Sequence, residues 1–83
     1  MSSNKVMDQE REAAEEAVGW GLTAEDVEAR LETYAGERTE DLRNRQDSAV
    51  EIFDANGHRG IELADEIDGL RIVIAVRDVR EAP

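Results

Sequence analysis

The stretch from Gly60 to Val79, GIELADEIDGLRIVIAVRDV, constrains the fold more than any other part of this chain, because it holds most of the large aliphatic residues. Two apolar runs flank Asp68-Gly69. That dipeptide favours a type I′ turn, which needs φ > 0 at both central positions. A two-residue loop would set Ile67 opposite Leu70, Leu63 opposite Ile74 and Ile61 opposite Val76. Side chains alternate along a strand, so these residues and Ile72 would share one core face. The other face would carry Val73 and Ala75 among Glu62, Glu66, Arg71 and Arg77.

A second turn signal, Asn56-Gly57, adds a strand over residues 49–54, with Ile52 against Ile61 and Val50 against Leu63. The same register sets Arg59 between Asp54 and Asp78 as an ionic clamp. It also lays Phe53 over Gly60, a pairing that strengthens a weak strand position. Glu51 opposite Glu62 is the one repulsive pair. The expected class is therefore α+β, with N-terminal helices packed on a three-stranded antiparallel meander.

Upstream, Ser2, Ser3 or Asn4 can cap a helix over residues 5–18, whose thin apolar stripe is Met7, Ala14, Ala17 and Val18. Gly19-Trp20-Gly21 breaks it. Thr23 with Asp26 forms a capping box, and Leu22 with Val27 occupies the hydrophobic-staple positions. Val27, Leu31 and Tyr34 recur at helical spacing before Gly36, which predicts a helix over residues 24–35. Thr39 can cap a short third helix over 37–47. One helix running from 24 to about 53 is the competing reading, opposed by Gly36 and by the β-branched content of AVEIF at 49–53. The chain reads as one domain, 1–83, helical over 5–47 and β over 49–79.

Eighty-three residues bury roughly 60–65% of their unfolded surface. With one Trp, one Tyr and one Phe, the core is aliphatic. Cysteine is absent, which removes disulfides and thiolate metal sites. No apolar run approaches the roughly 20 residues of a membrane span, and the N-terminus lacks a signal-peptide apolar region. The expected location is cytoplasmic or particle-associated.

Asp and Glu number 21 against 10 basic residues, a net charge of −11, and Lys5 is the only lysine. Such a surface repels itself in dilute buffer and is screened at molar salt, where the Debye length falls to about 3 Å. A halophilic source is expected. An acidic protein from a GC-rich genome, where Arg displaces Lys, is the plainer reading.

No catalytic, cofactor or metal site is predicted. His58 is the only histidine, beside Asp54 in sequence, and reads as a surface turn residue. Glu12, Glu15 and Glu16 read as a solvated helix face, and Asp54-Ala55-Asn56-Gly57 lacks the ligand spacing of a calcium loop. Phosphate-loop and nucleophile-elbow motifs are absent from the sequence.

The expected function is a non-enzymatic interaction or assembly protein: a subunit of a homo-oligomer or a larger particle, a virion among them. Its candidate partner-binding residues are Trp20, Phe53, Val73, Ala75 and Val79. Trp20 is a candidate anchor because tryptophan is enriched at hot spots; the plain reading has it closing a small core. Val73, Ala75 and Val79 lie on the hairpin's outer face, and strand 70–79 would be an open edge that invites pairing. Arg71, Arg77 and Arg80 would guard it. The alternative is a DNA-associated regulator. Three helices then a hairpin is the element order of a winged helix, and Arg38, Arg43, Asn44 and Arg45 are types that read base edges. The net charge of that segment, −1 over residues 37–47, opposes this. No small-molecule substrate is evident.

The salt expectation has a direct check in thermal unfolding followed by circular dichroism. From low salt to molar KCl the midpoint is expected to rise by at least about 5 °C, the shift that 1 kcal/mol produces in a domain this small. An unchanged midpoint removes the halophilic reading.

Overall fold

The structure, a computed structural model, describes residues 6–82. All regular structure among them is helical: α1 (Asp8–Val18), α2 (Ala24–Thr33), α3 (Thr39–Ala55) and α4 (Ile61–Glu81). The caps offered by Ser2, Ser3 and Asn4 lie outside the described residues. The expected α+β fold is overturned, because both proposed hairpins are helical or helix-ending segments.

Asp68-Gly69 lies in the middle of α4, not in a turn. The buried residues of α4 are Ile67, Gly69, Leu70, Ile72, Val73, Ile74 and Val76. At 100° per residue they cover well over half of the helix circumference. A helix apolar on most sides must be enclosed, and a continuous apolar run does not by period alone separate strand from helix. The apparent alternation at 70, 72, 74 and 76 arises because α4 has neighbours on several sides. Each of α1, α2 and α3 packs on α4, and α1 also touches α2. One core results, with Val27, Leu42, Leu70, Ile72, Val73 and Val76 as its largest fully enclosed side chains.

Asn56-Gly57 is a real turn, but of a different kind. It stops α3 in a Schellman motif: His58 N–H donates to the Phe53 carbonyl (2.9 Å) and Gly57 N–H to that of Asp54 (3.1 Å). Gly57 takes the left-handed φ of 70° that this stop requires, and His58 follows at 62°. The same dipeptide serves a I′ turn or a helix stop, since both need φ > 0. Residues 49–54 are therefore the last turns of α3, and their β-branched side chains follow the tertiary packing rather than strand propensity. Ile52 and Ile61, expected to face each other in the core, are 53% and 89% exposed. The Arg59 clamp is absent: Asp54 pairs with His58 (2.8 Å) and Asp78 with Arg43. Phe53 stacks on the His58 ring, centroids 5.3 Å apart, instead of covering Gly60.

The N-terminal readings fare better. The Thr23–Asp26 capping box closes α2, with Asp26 N–H donating to Thr23 Oγ1 (3.1 Å) and Thr23 N–H to Asp26 Oδ2 (3.2 Å). Leu22 and Val27 are both buried. The third helix is longer than expected. Arg38 rather than Thr39 is its N-cap residue, and the Thr39 hydroxyl donates to Glu81 Oε1 (3.3 Å).

Both α1 and α3 run antiparallel to α4, since Glu10 and Thr39, near their starts, meet Arg80 and Glu81 near its end. Arg77 fastens the α2–α3 connection. Its guanidinium donates to the carbonyls of Tyr34 (2.8 Å), which also accepts the Glu37 N–H (3.0 Å), and of Glu37.

Gly69 separates the two folds experimentally. A Cβ there would meet Arg30 and Tyr34 atoms at 3.5–3.6 Å, ordinary contact. Gly69→Ala is thus expected to stabilise the chain by about 0.5–1 kcal/mol in chemical denaturation, the helix-interior gain of Ala over Gly. A loss of stability would restore the turn.

Candidate functional site

The five candidate partner residues do not form one patch. Val73 is fully buried in the core, so its proposed role on an outer face is overturned by the helical packing of α4. The open edge strand is overturned with it, and so is the guard role of Arg71, Arg77 and Arg80. Val79 is half-buried in the last turn of α4. Ala75 is half-buried and lines a shallow cleft of about 270 Å³ with Ala17, Ile74 and Arg71. Phe53 lines a second cleft of about 250 Å³, whose apolar lining is completed by Val50, Ala64 and Ile67. Trp20, 49% exposed in the α1–α2 turn, borders a third with Leu22 and Ile72 at its base.

Arg71 borders both the Phe53 cleft and the Ala75 cleft. The two therefore form one furrow along α4, walled by α3 on one side. Asp54, His58 and Asp68 also line its upper lobe, and Asp78, held by Arg43, closes the lower one. In the hairpin reading Ile67 and Ile74 belong to the core alone and Ala64 has no site role. Their signal is the helical spacing 64, 67, 71, 74 and 78, which is visible only once the segment is read as a helix.

The Arg residues proposed to read DNA bases are mostly engaged within the chain. Arg43 pairs with Asp78. Arg45 pairs with Glu37 (2.6 Å) and sits 6.0 Å from the Tyr34 ring centroid. Arg38 and Asn44 are exposed, Arg38 within 4.0 Å of Glu40. A wing around Asp68-Gly69 is excluded by α4, so the winged-helix architecture is overturned.

Among the described residues Glu10 is the one buried charged side chain, 4% exposed. The Arg80 guanidinium grips both its oxygens, at 2.5 and 3.3 Å, and Met7 N–H donates to Oε1 at 3.0 Å. Arg80 is the main cause that holds the Glu10 carboxyl below the usual carboxylate range, against the opposing effect of burial. Tyr34 is pushed the other way, chiefly by burial and then by the charge of Glu66. With its lone pairs satisfied on a rigid helix start, Glu10 reads as a structural clamp between α1 and α4. No group of three or more His, Asp or Glu among the described residues is placed to hold a metal ion. No helix among them is long and apolar enough to cross a membrane.

No family model matches the chain, and no curated protein or solved structure is significantly similar to it.

The clamp predicts a pH dependence of known sign. A carboxyl whose folded pKa is depressed contributes stability that is complete above the unfolded Glu value of about 4.3 and is lost as pH falls through the folded one. Glu10→Gln should cost about 1–3 kcal/mol at pH 7 in urea denaturation. The gap between variant and parent should narrow as pH drops below about 4. A gap that stays constant down to pH 2 would sink the clamp.

Proposed function

We propose that this chain is a non-enzymatic assembly protein, a subunit of an oligomer or larger particle in the cytoplasm or within such a particle. It associates through the end of the molecule where α3 turns into α4. The observation that carries this reading is the exposure of two isoleucines there, Ile52 and Ile61, on either side of a Schellman turn. Half-buried Phe53 and Leu63 extend the apolar surface around them. Isolated surface apolar residues are ordinary, but two large aliphatics at one end of a chain this polar supply an anchor that water does not reward. Charge favours the same setting: copies carrying −11 each repel in dilute buffer and are free to pack once salt screens them.

Sedimentation equilibrium in molar KCl over a wide protein range tests the assembly. The chain should sediment as more than a monomer, and Ile52→Asp with Ile61→Asp should return it to monomer. Both side chains lie outside the core, so stability should change by no more than about 0.5 kcal/mol per site. A monomer at high concentration in molar salt overturns this reading.

A further inference from the structure

α4 is enclosed over most of its circumference, and one arc is not. At 100° per residue Ala64, Asp68, Arg71 and Ala75 fall together in the gap left by the buried positions, and all four are half-buried. That arc is the floor of the furrow. From Ala64 to Asp78 it runs about 21 Å at 1.5 Å per residue, four turns of a helix. α3 walls it along its length, with Gln46, Val50 and Phe53 on the cleft linings, while α1 reaches only the lower lobe, through Ala17.

Asp78 at the end of this arc is held by Arg43, but the two charges at its middle have no partner among the described residues. Among the described residues neither Arg71 nor Asp68 makes a hydrogen bond or ion pair within the chain. Most other arginines do: Arg11, Arg30, Arg43, Arg45 and Arg80 each have a carboxylate within 3 Å. In a chain with 21 acidic residues, a half-buried arginine with no hydrogen bond or ion pair among the described residues is open to a carboxylate from outside. Arg71 stands where the two apolar lobes meet.

We propose that this furrow docks an amphipathic helix of a partner protein, whose aliphatic residues fill the two lobes and whose central carboxylate meets Arg71. A basic residue one turn away would face Asp68. Basic outer faces suit the partner, because the net charge of −11 draws a cationic segment and repels an anionic one. A second copy of this chain fits poorly. The apolar stripes of α1, α2 and α3 are already buried on α4, and their outer faces are rich in Glu and Asp. This inference rests on the reading that the chain works by binding protein. It uses an adjoining surface that shares Phe53 with the assembly face, while Ile52 and Ile61 stay outside the furrow.

The test is a titration of the ¹⁵N-labelled full chain with a synthetic helical peptide of about four turns. The peptide carries Leu at i, i+4, i+7 and i+11, Glu at the centre of that face and Lys elsewhere. Amide shifts are expected at Val50, Phe53, Ala64, Ile67, Arg71 and Ala75. Replacing the central Glu by Arg should weaken binding about tenfold or more, as should Arg71→Glu in the protein, and combining the two should restore it. The peptide exchange on the unaltered protein keeps the test decisive if Arg71→Glu does not fold. Shifts spread over the acidic faces and indifferent to the central Glu would overturn the proposal, as would no binding. So would the same shifts appearing with protein concentration alone, which would assign the furrow to a second copy. Failure of the peptide with assembly through Ile52 and Ile61 intact removes this inference and leaves the assembly reading standing.

Discussion

Everything in this fold follows from enclosing one helix. The segment 67–76 of α4 is too apolar on too many sides to lie on a surface, and no single partner helix can cover it. Three short helices, none strongly apolar in itself, take up the task from different directions. Each needs only a narrow stripe, because each covers only part of α4: Ala14 from α1, Val27 and Leu31 from α2, Leu42 and Ala49 from α3. Short isolated helices are marginal in water, so α1 and α2 owe their stability to that docking.

Polar contacts set the register of the docking. Each outer helix is tied to α4 by at least one ionic or hydrogen-bonded link: Glu10–Arg80 from α1, Arg30–Asp65 from α2, Arg43–Asp78 from α3. Surface pairs of this kind contribute little each. Glu10–Arg80 differs because the carboxylate is buried, and losing its partner would strand a desolvated charge. Arg77 works on the backbone instead, donating to the Tyr34 and Glu37 carbonyls in the connection between α2 and α3. The large acidic excess stays outside these links, on faces that meet solvent.

The candidate surfaces were legible only in part. Phe53 and Trp20 are partly exposed because each sits at a helix end, beside a glycine turn visible in the sequence. Val73 failed as a surface residue because its neighbours on α4 are i±3 and i±4, not i±2. The furrow depends on the same spacing. Its lining combines Ala64, Arg71 and Ala75, which a hairpin register sets on the outer face, with Ile67 and Ile74, which it sets on the core face; only helical spacing brings them together. Pairing across a hairpin would bury Ile52 and Ile61 in the core. In the helical fold they lie near the facing ends of α3 and α4 and are exposed instead.

The sequence by itself determined the N-terminal half: the Thr23–Asp26 box, the Leu22–Val27 pair and the breaks at Gly19 and after Tyr34 are local devices, complete within a few residues. It also determined that residues 60–79 would hold the core, and that Asn56-Gly57 would reverse the chain. Tertiary structure alone decided what 49–54 and 60–81 became. Asp68-Gly69 and Asn56-Gly57 each permit a turn, yet only the second is used as one. An apolar run of this length satisfies a sheet face or an enclosed helix equally well, and local residues do not state how many sides will be covered. The three helices docking on α4 settled the choice, and the arc they leave open is the part of the molecule that the sequence did not reveal.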